Sequence, residues 1–111
     1  MAEAGADIIV CHLGLTTGGA IGAETALKLE DCPAIVDRWA AAARRVNKDV
    51  LILIHGGPVA QPEDAEYILS KAKLCQGFYG ASSMERLPTE VALTEQTKKF
   101  MAIKRRKDDA E

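Results

Sequence analysis

The polar and apolar positions of the chain repeat one unit: a short apolar run, a turn rich in glycine, then apolar residues at helical spacing. Ile8-Ile9-Val10-Cys11 and Val50-Leu51-Ile52-Leu53-Ile54 are unbroken rather than alternating, which predicts strands covered on both faces, as in a parallel sheet. A third, shorter strand is predicted from Gly77 to Ala81. Between the first two, Ile35, Val36, Trp39, Ala43 and Val46 recur at helical spacing with Arg38, Arg44 and Arg45 mostly opposite, so Trp39 reads as core. Asp31 or Cys32 can cap this helix, Pro33 suits its first turn, and Asn47 suits a left-handed stop. Pro62-Glu63-Asp64 opens the next helix, where Ala65, Ile68, Leu69 and Ala72 share a face and Lys71 and Lys73 favour the dipole at its far end. A last helix turns Ala92, Leu93, Gln96, Phe100 and Ile103 towards the core. Residues 2–6 read as a final helical turn stopped at Gly5.

The stretch Gln76–Glu90 organises the rest. Ser82-x-x-Glu85 has the form of a capping box, and Pro88 disfavours helical geometry at Leu87. A one-turn helix is therefore expected, followed by a longer one starting at Pro88-Thr89-Glu90. The predicted order is β-α-β-α-β-(short α)-α, an α/β class with right-handed parallel crossovers. Three such units make a piece of an open or closed parallel sheet and not a closed (β/α)₈ barrel, which has eight strands; in such barrels the short extra helix after a final strand is where phosphate is held.

Composition narrows the function classes. A chain of 111 residues is one small domain, with 48% apolar residues and only 2 Phe to fill a modest aliphatic core. The net charge of −2 gives no electrostatic footprint for nucleic acid. The 3 cysteines, Cys11, Cys32 and Cys75, form no C-x-x-C pair and read as buried free thiols of a reducing compartment. No signal peptide is visible at the N-terminus, and the apolar run Val50–Ile54 is far too short to cross a bilayer. A soluble, cytoplasmic protein without membrane contact is expected. The tail Lys104-Arg105-Arg106-Lys107-Asp108-Asp109-Ala110-Glu111 mixes both signs and reads as a frayed, solvated end. The domain is thus expected over residues 1–103, with the tail over 104–111.

Candidate chemistry lies at the strand ends. His12 and His55 each close a predicted strand, and parallel strands put those ends on one rim, where an imidazole can act as acid, base or metal ligand. The plainer alternative is a histidine hydrogen-bonded to a loop carbonyl. Gly56, Gly57, Gly80, Ala81, Ser82 and Ser83 follow consecutive strands, and their amides can cradle a phosphate, with Gly80 letting a ligand approach the backbone. A well-capped turn without ligand is the alternative there. Arg86 can aim its guanidinium at a carboxylate or phosphate, or lie in a surface ion pair with Glu85 or Glu90. The glycine-rich stretch from Leu15 to Thr25 can act as a lid through Thr16, Thr17, Gly18 and Gly19. Glu24 within it can serve as base or magnesium ligand, although a solvated loop residue is the better reading. Neither a dinucleotide fingerprint nor a nucleotide P-loop is present.

Ala4-Gly5-Ala6-Asp7, His12-Leu13-Gly14-Leu15-Thr16-Thr17-Gly18-Gly19, His55-Gly56-Gly57-Pro58 and the run from Gly77 to Pro88 together resemble the phosphoenolpyruvate-hydrolase-like TIM-barrel family. A similar domain ends a plant protein that confers resistance to tobamoviruses. The resemblance runs from about Met1 to Ile103 and implies the last three βα units of a longer barrel, with most barrel strands lying elsewhere. It implies a small phosphorylated carboxylate such as phosphoenolpyruvate as ligand, and hydrolase- or lyase-type chemistry. The cofactor is left open, a divalent metal such as magnesium included. Two further expectations stand beside the enzyme: a non-catalytic module that binds a small anion or a protein, and an inactive piece that self-associates or needs a partner chain to complete its sheet.

Overall fold

Three parallel strands form the frame: β1 (Ile8–His12), β2 (Leu51–His55) and β3 (Gly77–Phe78), in the spatial order β1-β2-β3. The structure is a computed structural model and describes residues 1–14 and 27–105. The ladder pairs Ile8 with Leu51, Val10 with Leu53 and His12 with His55, while β3 pairs Gly77 with Leu53 and Phe78 with Ile54. Register partners in a sheet share a face, so two rows follow. Ile9, Cys11, Ile52, Ile54 and Phe78 point to one side, and Ile8, Val10, His12, Leu51, Leu53 and His55 to the other.

The first side is the core. Helices α1 (Cys32–Val46) and α2 (Pro62–Lys71) cover it, bringing Cys32, Val36, Ala40, Ala65 and Ile68 against Cys11, Ile52 and Ile54. Each fully buried Ile or Val contributes about 1.5–3 kcal/mol. Pro33 and Pro62 sit in the first turns of these helices, where no amide partner is lost. Gln61 and Asp64 form a reciprocal capping box on α2, with the Asp64 carboxylate accepting from the Gln61 amide at 2.8 Å.

Polar side chains pin the layers together. Asp37 of α1 accepts hydrogen bonds from the amides of Lys73 (3.0 Å) and Leu74 (2.9 Å), fixing the link between α2 and β3. The Gln76 side chain accepts from the Ile52 amide at 2.8 Å and so extends the β2–β3 ladder by one rung. Bonds to a charged acceptor are worth more than neutral ones, so Asp37→Ala is expected to lower stability by about 2 kcal/mol. Urea denaturation checks this as a lower midpoint with an unchanged slope. Asp37→Asn, which keeps one acceptor oxygen, is expected to lose less.

Cys11 and Cys32 are buried, Cys75 is half-buried, and all are free thiols. Burial, and then the nearby Cys75, pushes the Cys11 thiol from the ordinary 9.0 up to about 11. Burial likewise raises Cys32 and Cys75. They pack as neutral groups.

Several sequence expectations need correction. The strands are not covered on both faces: Ile8, Val10 and Leu51 remain 50%, 40% and 47% exposed. Trp39 is 38% exposed, because Val36 and Ala40 take the buried face of α1. Asn47 is extended (φ −141°) rather than left-handed, and its side chain accepts from the Asp49 amide instead. The third strand ends at Phe78, short of Ala81. No one-turn helix forms over residues 82–85, which make turns, and α3 (Arg86–Met101) starts two residues before Pro88. Proline fits there because the first amides of a helix have no intrahelical partner. The Ser82–Glu85 capping box is absent. Leu87 is the one buried residue of α3, and Leu93, Phe100 and Ile103, expected in the core, are exposed. Gly5 does stop the first turn, at φ +92°. No described helix is long and apolar enough to cross a membrane.

Candidate functional site at the strand ends

His12 and His55 are register partners at the C-terminal ends of β1 and β2, on the uncovered face. Their rings meet edge to face, with centroids 5.1 Å apart and planes at 76°. Tyr79 follows β3 and extends the row, its ring centroid 5.1 Å from that of His55. Three adjacent strand ends therefore present three rings side by side. The sequence pattern pointed to both histidines and missed Tyr79. Aromatic character after a strand is no signal by itself, and its main contact is made through a backbone carbonyl.

Each imidazole is held by backbone through Nδ1. The Gly14 amide donates to His12 Nδ1 at 3.1 Å. His55 Nδ1 lies 2.6 Å from the Tyr79 carbonyl oxygen. A carbonyl only accepts, so His55 Nδ1 carries the proton; an amide only donates, so His12 Nδ1 carries the lone pair. The loop-carbonyl alternative for a strand-end histidine is thus realised at His55, and it leaves Nε2 without a partner among the described residues.

The glycines answer mainly to packing. Gly56 and Gly57 have φ of +75° and +57°, the left-handed region that glycine enters without cost. A Cβ on Gly57 would stand 2.3 Å from the Leu13 carbonyl oxygen, and one on Gly56 would stand 2.5 Å from that of Gly14 and 3.2 Å from the His12 ring. The Gly57 amide donates to the Gly14 carbonyl at 2.7 Å, which takes it out of any anion cradle in this arrangement. A Cβ on Gly80 would stand 2.8 Å from the Phe78 ring and 2.7 Å from the Met84 side chain, so packing by itself asks for glycine there.

The turn after β3 is different. The Ala81 carbonyl accepts from the amides of Met84 and Glu85, and the Ser82 carbonyl accepts from Leu87. The amides of Gly80, Ala81, Ser82 and Ser83 have no protein acceptor among the described residues. This turn leaves directly from Tyr79, the residue that holds His55. Ser83 and Met84, however, line a groove of about 610 Å³ against Ala65, Leu69 and Phe78, on the helical side of the sheet. Ser83 and the histidines thus look towards opposite faces, and only the start of the turn adjoins the rings. Arg86 takes the ion-pair alternative, 2.6 Å from Glu90 one helical turn on. Thr16, Thr17, Gly18, Gly19 and Glu24 lie outside the described residues. Among the described residues no group of three or more His, Cys, Asp or Glu side chains is placed to hold a metal.

With this geometry in hand, comparison with known proteins places the chain. The sequence profile of the phosphoenolpyruvate hydrolase-like family matches residues 1–103. The chain is similar to two tomato (Solanum lycopersicum) proteins, the ToMV susceptible protein tm-1(GCR26) and the ToMV resistance protein Tm-1(GCR237). It is 53% and 52% identical to them over 103 residues, which are 93% of this chain and 14% of each relative. It is also similar to y4pA of Sinorhizobium fredii (strain NBRC 101917 / NGR234), to which a transcriptional regulatory role is ascribed. That identity is 31% over 102 residues, 92% of this chain and 17% of y4pA. The chain therefore spans only about a seventh of the tomato relatives' length. Three parallel strands with their helices, matched over nearly the whole chain, make it a member of the phosphoenolpyruvate hydrolase-like family.

Proposed function

We propose that this chain supplies the last three βα units of a barrel domain (residues 1–103, with 104–111 as a tail) and binds a small phosphorylated carboxylate at the C-terminal ends of its strands. The observation that carries this is the row His12–His55–Tyr79 on one face of adjacent parallel strands, with both Nε2 atoms left without described partners. Ligands of parallel-barrel proteins sit at that rim. The unpaired amides at the start of the turn, Gly80 and Ala81, adjoin the row and suit an anion, whereas Gly57 and Arg86 are occupied within the protein. The Thr16–Gly19 loop is the proposed lid.

Calorimetry with phosphoenolpyruvate tests this. Heat is expected from the folded wild type, reduced at least tenfold in affinity when His12 and His55 are both alanine. A folded wild-type sample without heat rejects the reading.

A second reading, a non-catalytic module that binds a small anion or a protein, has its own support. Two of the groups expected to hold phosphate, the Gly57 amide and Arg86, are used structurally, and the rhizobial relative is ascribed a regulatory role. It differs by giving binding without release of inorganic phosphate. The uncovered apolar row Ile8, Val10 and Leu51 supports a third element common to both readings. Further strands, from a longer chain or a partner, cover this face, and in their absence the chain self-associates through it.

A further inference from the structure

His12 and His55 are alike in sequence and unlike in chemistry. The Gly14 amide takes the lone pair of His12 Nδ1, so the neutral ring carries its proton on Nε2. The Tyr79 carbonyl takes the proton of His55 Nδ1, so that ring offers a bare lone pair at Nε2. The ring centroids stand 5.1 Å apart on one face of neighbouring strand ends, so one small anion can lie against both rings.

We propose that the two histidines act as an unlike pair, His12 donating through Nε2–H and His55 accepting at Nε2, and that together they select a protonated phosphorus oxyanion over a fully ionised one such as sulfate. This inference rests on the anion-binding reading above and specifies the ligand's protonation state. Phosphate near neutral pH carries a P–OH group, which donates to His55 while a second oxygen accepts from His12. Sulfate has no proton to give. Its oxygen would face the His55 lone pair, and an unmatched acceptor–acceptor contact costs discrimination of the order of an unmade hydrogen bond.

The backbone sets this asymmetry, and Gly14 is its positioning residue. Its φ of +109° is a glycine conformation, and it aims the amide at His12 while the carbonyl of the same residue receives the Gly57 amide at 2.7 Å. One residue thus ties the β2 turn to the His12 ring. No heavy atom lies within 4 Å of a Cβ built there, so alanine at this position is opposed by the backbone angle and not by a clash.

Two measurements on the full chain decide the matter. The first is ligand-free ¹⁵N NMR at a pH where both rings are neutral. The expected result is a proton on Nδ1 of His55 and on Nε2 of His12, with a scalar coupling across the hydrogen bond from the Gly14 amide nitrogen to His12 Nδ1. Gly14→Ala is expected to abolish that coupling and leave the His55 tautomer unchanged. If both rings carry their proton on Nε2, or the coupling is missing in the wild type, the pair is not unlike and the proposal falls. The second is calorimetry with inorganic phosphate, phosphoenolpyruvate and sulfate. Phosphate is expected to bind at least tenfold more tightly than sulfate, and His55→Gln, whose amide both donates and accepts, is expected to narrow that ratio. Phosphoenolpyruvate bound more tightly at pH 6 than at pH 8 marks the form with a singly protonated phosphoryl group as the ligand; phosphate binding alone marks the inorganic ion. Equal affinity for phosphate and sulfate leaves the anion-binding reading standing and overturns the selectivity. Silence from every anion overturns both.

Discussion

Gly57→Ala is expected to cost about 4 kcal/mol of stability, a large part of what a domain of this size possesses. The new Cβ would sit 2.3 Å from the Leu13 carbonyl oxygen and 2.8 Å from the Leu13 carbonyl carbon, both backbone atoms at the end of β1. Neither can rotate away, so the β1 end must shift. Leu13, 1% exposed, would be dragged from the core with it, and the Gly57–Gly14 hydrogen bond would be lost. The left-handed backbone at φ +57° adds roughly 1–3 kcal/mol for any residue with a side chain. Gly5→Ala is the matched control. It also has positive φ, +92°, yet nothing lies within 4 Å of its Cβ, and about 1 kcal/mol is expected. Urea melts of the two variants separate a structural glycine from one kept free for an anion. A Gly57→Ala chain as stable as the wild type but unable to bind would restore the cradle that the hydrogen bond to Gly14 argues against.

That glycine pair marks the boundary of what the sequence makes legible. Gly56-Gly57 after an apolar run announces a turn at a strand end, and the turn is there. What it does not announce is which nearby carbonyl will occupy the amide, because Gly14 approaches from 43 positions away. The same limit hides the Asp37 clamp, whose partners lie 36 and 37 positions on and leave no local pattern. The two strand-end histidines were legible because parallel strands repeat one geometry, so equal positions in two units become neighbours. Tyr79 was not, since it acts on His55 through its main chain. Helices α1 and α2 declare themselves by apolar spacing; α3 is also expected from the sequence, but the face assigned to its core side stays exposed and Leu87 alone is buried. The start of α3 was misplaced for a reason of local geometry: a proline in the first turn restrains its predecessor without forbidding a helix.

The least legible feature is also the most consequential. An unbroken apolar strand reads the same whether its second face meets helices, the inside of a barrel or nothing, and here Leu51 and Ile52 point to opposite sides of the sheet. Ile52 is 0% exposed and Leu51 is 47% exposed. Ile52→Ala is therefore expected to cost about 4 kcal/mol, the transfer term plus the cavity left under α1 and α2. Leu51→Ala in the monomeric chain removes atoms that already touch water, and less than about 1 kcal/mol is expected. Wherever further strands cover this face, the same Leu51→Ala change becomes a buried truncation worth about 3 kcal/mol. Thermal or urea melts at increasing protein concentration distinguish the cases. A Leu51→Ala penalty that grows with concentration reports self-association through this face, and a small, constant penalty reports a face left open. A penalty equal to that of Ile52→Ala at the lowest concentration would mean that the chain covers the face by itself, and the need for further strands would disappear. Since His12 and His55 stand in the same row as Leu51, whatever covers that row also encloses the rings. The energetic test of the open face is thus also a test of whether the anion site is complete in this chain alone.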